Sequence, residues 1–182
     1  MFAERYARSL QSSDLRDDEH HTSTEALFAA AIASKTGTGL GALLSRVKYA
    51  NGTPREAFQA GSNNLALLLR VWMDAVAEKG RERNWLPART AWDAQAQHAL
   101  YRRVAMGSLA YWIDSRCGEC GGPGQMANRR LCPSCKGTGR AEIAPTAPRL
   151  ERELIADMVS ELEGMVQAHN ARAAKILRRR DG

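Results

Sequence analysis

Long apolar runs are missing from this chain. The longest, Ala26 to Ala33, has eight residues, far fewer than the roughly 20 that a membrane-crossing helix needs. The start of the chain has no apolar leader either: Arg5 and Arg8 run into Ser12, Asp14 and Asp17. We therefore expect no export signal and a reducing cytoplasm as its compartment. Catalytic patterns are also lacking. No serine sits in a nucleophile elbow, and there is no HExxH, so the expectation is not an enzyme. Gly37-Thr-Gly-Leu-Gly41 looks like a phosphate loop but lacks its lysine and follows no strand, which makes a helix–turn–helix junction the expectation there. Aromatic residues are sparse, at 6%, and cysteine is absent outside one short stretch.

That stretch holds the main chemical signal. Cys117, Cys120, Cys132 and Cys135 read C-x2-C-x11-C-x2-C, and each pair continues into the same glycine pattern. The two copies are Cys117-Gly-Glu-Cys-Gly-Gly-Pro-Gly124 and Cys132-Pro-Ser-Cys-Lys-Gly-Thr-Gly139, so CxxCxGxG occurs twice. Two residues between thiolates let one tight turn offer both sulfurs to one ion, and two such knuckles supply four ligands. The glycines permit positive φ, which lets backbone N–H groups turn toward the sulfurs. The expected cofactor is one structural Zn2+, because four thiolates leave no open coordination position. The alternatives are an iron–sulfur cluster, a thioredoxin-type redox pair and a disulfide framework. The adjacent His20 and His21 are read as surface residues of an arm, not as ligands.

Charge is uneven. The formal net charge is +6, concentrated in two places. Arg116, Arg129, Arg130, Lys136 and Arg140 face only Glu119 within residues 116–140, and Arg172, Lys175, Arg178, Arg179 and Arg180 face only Asp181 within 171–182. Between them, residues 149–163 are acidic, with Glu151, Glu153, Asp157, Glu161 and Glu163 against Arg149 and Arg152. Basic clusters flanking an acidic strip suit a nucleic-acid surface plus a protein partner. A solvated surface is the plainer reading. Arg178, Arg179 and Arg180 suit either a helix C-terminus or phosphate contact.

The periodicities predict a mainly α protein: a helical bundle with an inserted four-cysteine zinc-binding module and a long C-terminal helix. The expected divisions are a flexible arm over 1–22, a helical domain over 23–116, the zinc module over 117–140, and a hinge with the C-terminal helix over 141–182. Ser23 or Thr24 can cap a helix to Ser34, Thr38 can start one ending near Asn51-Gly52, and Thr53-Pro54-Arg55-Glu56 is a further helix start. Leu65, Leu68, Leu69, Trp72 and Val76 predict a helix ending at Lys79-Gly80. A loop through Pro87 and a cap at Thr90 then lead into a helix over 91–115. In it Trp92, Ala99, Met106 and Ile113 share one face, with Ala96 and Ala110, while Tyr101, Ala105 and Trp112 cover the other; both faces are read as core. Leu154, Met158, Leu162, Met165, His169 and Ile176 lie within about 80° of arc on a final helix of about 30 residues, about 45 Å long. His169 is read there as a packed residue.

The doubled CxxCxGxG is similar to the zinc-binding region of DnaJ-type chaperones, which carry four copies and usually a J domain with His-Pro-Asp. The whole layout more closely resembles lambdoid phage Q-type antitermination proteins. These are short, basic, largely helical proteins with two such knuckles after a helical region. The resemblance covers roughly residues 62–140 and rests on the cysteine–glycine motif. It implies a bacteriophage transcription antitermination factor acting in the bacterial host cytoplasm. Its partners would be double-stranded DNA near a late promoter and a paused, sigma-containing RNA polymerase, which it makes ignore terminators. On that reading Arg116, Arg129, Arg130, Lys136 and Arg140 are phosphate-contact candidates, and the acidic strip of 149–163 is the polymerase candidate. The competing functions are a DnaJ-like module binding unfolded polypeptide and a general nucleic-acid-binding zinc protein.

Overall fold

A computed structural model describes residues 39–49, 63–87 and 89–178, and these are mainly helical. Four helices follow in order among them: α1, Leu40–Tyr49; α2, Asn63–Glu82; α3, Ala91–Ile113; and α4, Arg149–Arg178. The four-cysteine module is inserted between α3 and α4, and α4 is the long C-terminal helix expected from its periodicity. The arm over 1–22, the helix over 23–34, the starts at Thr38 and Thr53, the end at Asn51-Gly52, and Arg179 and Arg180 lie outside the described residues.

The chain divides into two compact units: Met1–Asp74 with Glu161–Gly182, and Ala75–Ser160. In the first, α1 buries Leu40, Leu44 and Val47 at helical spacing. Its Gly41 lies so close to α4 that a Cβ there would stand 2.8 Å from the His169 Cβ and 3.0 Å from the Met165 carbonyl oxygen. The last glycine of the phosphate-loop look-alike thus serves helix packing. His169 is fully buried, as a packed histidine should be, alongside Leu162, Val166 and Ala173 of α4 and Leu65, Leu68 and Trp72 of α2. Met165 and Ile176 are half-buried, so the buried stripe of α4 runs through the neighbouring Val166 and Ala173.

The second unit carries the cysteines. Here α2 runs through Gly80 to Glu82, past the expected stop. Gly80 is required for packing instead: a Cβ there would fall 2.3 Å from the Tyr101 ring. The chain turns after α2 at Asn84, in the left-handed region at φ 48°. Trp85 donates its N–H back to the Gly80 carbonyl at 3.0 Å. Its ring meets Tyr101 edge-on, with centroids 5.9 Å apart.

α3 begins as its sequence dictates. Thr90 accepts from the Asp93 N–H at 3.1 Å, and the Asp93 carboxylate accepts from the Thr90 N–H at 2.9 Å, a reciprocal capping box. The backbone N–H of Arg89, then the Thr90 contacts, hold the Asp93 carboxyl below the usual carboxylate range. The buried side of α3 is Leu100, Tyr101, Val104, Ala105, Ser108, Leu109 and Trp112. This corrects the two-faced core expectation: Tyr101, Ala105, Trp112 and Ile113 are buried, but Trp92 is 81% exposed, Met106 is 46% exposed, and Ala96, Ala99 and Ala110 are exposed. The set at steps of three and four around Val104 wins because α4 packs there. A Cβ on Gly107 would meet the Ile155 Cδ1 at 2.9 Å, and Arg103 of α3 pairs with the buried Glu151 of α4 at 2.9 Å.

Candidate metal centre

α3 delivers the chain to the first cysteine under tight control. Asp114 ends the helix in extended backbone, its N–H still bonded to the Ala110 carbonyl. Its carboxylate accepts from the Arg116 N–H at 3.2 Å and from the Arg116 guanidinium at 3.0 and 3.3 Å. On the far side of the module, the Ala141 N–H donates to the Ser115 carbonyl at 2.8 Å, and the Tyr111 hydroxyl donates to the Ala141 carbonyl at 3.2 Å. Both ends of the module are therefore fastened to the end of α3.

Between those ends the two CxxCxGxG copies interlock with an approximate two-fold relation. Arg116 bridges Arg140, and Leu131 bridges Gln125, so each copy's start pairs with the other's end. The Cys117 N–H donates to the Gly139 carbonyl and the Cys132 N–H to the Gly124 carbonyl, both at 2.9 Å. Gly124 and Gly139, the last of each motif, have φ of 76° and 72°. A Cβ on Gly124 would lie 2.3 Å from the Gly137 carbonyl oxygen, and one on Gly139 would lie 2.1 Å from that of Gly122. Each final glycine thus sits on the first glycine of the opposite copy, and no other residue fits.

This interlock brings the four sulfurs together. Cys117 and Cys132 Sγ are 3.8 Å apart, as are Cys120 and Cys135 Sγ, and all four lie within 4.8 Å of one another. A tetrahedron with metal–sulfur bonds of about 2.3 Å has edges of about 3.8 Å. The cysteines are free thiols, with Cys117, Cys132 and Cys135 buried and Cys120 half-buried. They are the one group of three or more ligating side chains with this geometry among the described residues, and the group can hold a metal ion.

Backbone N–H groups surround the sulfurs as the glycine pattern predicts. The Gly139 N–H donates to Cys135 Sγ at 3.3 Å, and the nearby N–H groups of Cys120 and Glu119 at Cys117, of Cys135 and Ser134 at Cys132, and of Gly137 at Cys135 favour the thiolates. The Cys120 N–H, with that of Glu119, brings the Cys117 thiol down to about 6. At Cys132 the Cys135 N–H again favours the thiolate, but burial and the sulfurs of Cys135 and Cys117 outweigh it and push the thiol up to about 11. One sulfur gives up its proton readily and a neighbour then keeps its own, as expected of close like charges that need a cation between them.

The basic residues are distributed around this centre. Arg129, Arg130, Lys136 and Arg140 are exposed and form no ion pair among the described residues, whereas Arg116 is paired with Asp114. Arg129 and Arg130 sit on the loop joining the knuckles. That loop is itself ordered by hydrogen bonds: Met126 N–H to the Arg130 carbonyl and Arg129 N–H to the Met126 carbonyl, each 2.9 Å, and Arg130 N–H to Asn128 Oδ1 at 3.1 Å. Arg178 ends α4, and its side chain lies outside the described set. The acidic strip of α4 is largely neutralised within the chain. Glu151 pairs with Arg103, Glu153 with Arg149 and Asp157 with Arg83.

No protein-family model matches the chain, and no curated protein or solved structure matches it either. No helix among the described residues is long and apolar enough to cross a membrane.

Proposed function

We propose that this chain is a Q-type transcription antitermination factor, a zinc-stiffened basic protein of the bacterial cytoplasm that works without catalysis. It binds duplex DNA near a phage late promoter and modifies a paused, sigma-containing RNA polymerase to read through terminators. The observation that carries this reading is the closure of two CxxCxGxG knuckles on one four-cysteine cluster, with a basic rim at Arg129, Arg130, Lys136 and Arg140 that forms no ion pair among the described residues.

The metal is zinc on this reading. Two sulfur–sulfur edges of 3.8 Å, with all four sulfurs within 4.8 Å, suit a single tetrahedral ion. All four positions are filled by the chain, so the ion's work is structural: it holds the knuckle loop and its arginines at a fixed angle to α3. Cations pre-set on a rigid loop meet phosphates with little loss of side-chain freedom, and they displace condensed counterions when they do.

A purified transcription assay tests the function. Adding the zinc-loaded chain to polymerase holoenzyme on a template with a terminator should raise read-through, and DNA binding should weaken steeply with salt. DNA binding with unchanged read-through would leave only a general nucleic-acid-binding zinc protein. The exposed Met126 and Leu131 on the knuckle loop favour a second reading, a DnaJ-like module for unfolded polypeptide. That reading requires the chain to suppress aggregation of a denatured substrate and to ignore duplex DNA.

A further inference from the structure

The four thiols that can hold the metal are also the only cysteines in the chain, and they are not equally reachable. Cys117, Cys132 and Cys135 are buried, whereas Cys120 is half-buried. Its neighbours Gly118, Glu119 and Gly121 are exposed. A Cβ added at Gly118 or Gly121 would meet nothing within 4 Å, so no described residue crowds this turn. The approximate two-fold relation between the knuckles fails at this point. The matching sulfur of the second copy, that of Cys135, is buried and accepts the Gly139 N–H at 3.3 Å. A small oxidant coming from water therefore meets Cys120 before any other sulfur.

The sulfur that can trap an oxidised Cys120 lies on the opposite knuckle. Cys135 Sγ stands 3.8 Å from Cys120 Sγ, and Cys117 and Cys132 Sγ are the same distance apart. Both close pairs cross between the two copies. The turns that carry them are already held face to face by the Cys117 N–H to Gly139 carbonyl and Cys132 N–H to Gly124 carbonyl hydrogen bonds.

We infer that the module is a peroxide-sensitive switch, in which Cys120 is oxidised first and its bond to Cys135 opens the metal centre. The Cys120 thiolate attacks one oxygen of hydrogen peroxide; the sulfur–oxygen bond forms, the oxygen–oxygen bond breaks, and hydroxide leaves. The Cys135 thiolate then attacks the Cys120 sulfur, forming the disulfide and expelling a second hydroxide. Each sulfur gives up one electron, the peroxide oxygens take both, and two protons from the buffer turn the hydroxides into water. Cys117 and Cys132 remain as the only thiolates, too few to fill a tetrahedral site. The loop carrying Arg129 and Arg130 then loses its anchor, while the cross-knuckle bond keeps the two turns paired for reloading. A dithiol reverses the step: it becomes a cyclic disulfide and returns two thiols to the chain. The inference rests on the zinc reading and not on antitermination.

The test exposes the full zinc-loaded chain to hydrogen peroxide. A chromogenic chelator reads zinc release, and mass mapping finds the disulfide after free thiols are alkylated. In a separate sample, a cyclic dione that reacts with sulfenic acids marks the first oxidised sulfur. Cleavage after Glu119 and after Arg130 separates Cys117, Cys120 and the second knuckle, and fragmentation of the linked peptide distinguishes Cys132 from Cys135. Zinc release should accompany the Cys120–Cys135 disulfide, and a dithiol with added zinc should restore the loaded protein. The dione should label Cys120 at least roughly tenfold more than any other cysteine. Zinc retained with four free thiols, a first disulfide of any other pairing or between two chains, or a label at a buried cysteine overturns the switch and leaves the zinc reading standing. Native protein that holds no zinc defeats the zinc reading, and the switch with it.

Discussion

Gly124 and Gly139 hold the module together by what they lack. Each combines a positive φ with a carbonyl oxygen of the opposite knuckle where a Cβ would go, so strain and collision act together. Gly139→Ala should therefore destabilise the loaded module by about 3 kcal/mol and weaken metal retention. Gly118→Ala should be close to neutral, because its Cβ would meet nothing within 4 Å and its φ is ordinary. Chelator competition and thermal unfolding of the two variants check this contrast. On the proposed zinc reading, Cys120→Ser removes one ligand and should release the metal and unfold much of residues 116–140, since binding and folding are coupled at such sites. Stoichiometric metal and an unchanged unfolding curve in that variant would contradict its role. The cluster of four cysteines was legible in the sequence because CxxCxGxG dictates both the turn and the glycines that let it close. The crossing of Gly124 over Gly137 and of Gly139 over Gly122 was not, since a contact between two copies leaves no trace in either one alone. Nor was the Asp114–Arg116 pair, which removes one arginine from the free basic rim.

Helices were read well where one face is apolar and poorly where two are. Thr90 with Asp93 announces the start of α3, and both atoms of the capping box are in place. Thr90→Ala should cost about 1 kcal/mol. Within α3, apolar residues occupy opposite sides, and periodicity alone cannot say which side has a neighbour; Val104 and Leu109 turned out to face it and Trp92 did not. Glycine was misread for a related reason. Gly80 looks like a helix stop, yet α2 continues past it because the Tyr101 ring fills the space above. Gly80→Ala should destabilise the protein by about 1–3 kcal/mol through overpacking. Gly164 has no such neighbour in the interior of α4, so Gly164→Ala should stabilise by about 0.5–1 kcal/mol. Denaturant unfolding of the two variants should move in opposite directions; a shared direction would refute the assignment of Gly80 to packing.

At the scale of the molecule, the knuckles carry most of their basic residues without ion pairs among the described residues. Arginines 83, 103, 116, 149 and 152 are spent on carboxylates of the chain itself, whereas Arg129, Arg130, Lys136 and Arg140 ring the knuckles without such partners among the described residues. If the proposed DNA binding holds, Arg129→Ala with Arg130→Ala should leave the fold unchanged, weaken duplex binding and flatten its dependence on salt by about two phosphate contacts. Binding unaltered from low to high salt would remove the knuckle loop from the DNA footprint. All of this presupposes that the four thiolates close on one ion and so fix the loop's direction. X-ray absorption at the zinc edge of natively purified protein tests that most directly. The expected spectrum is one zinc per chain with four sulfur neighbours at about 2.3 Å and no open position. Folded protein without zinc, or zinc with oxygen or nitrogen neighbours, would contradict it.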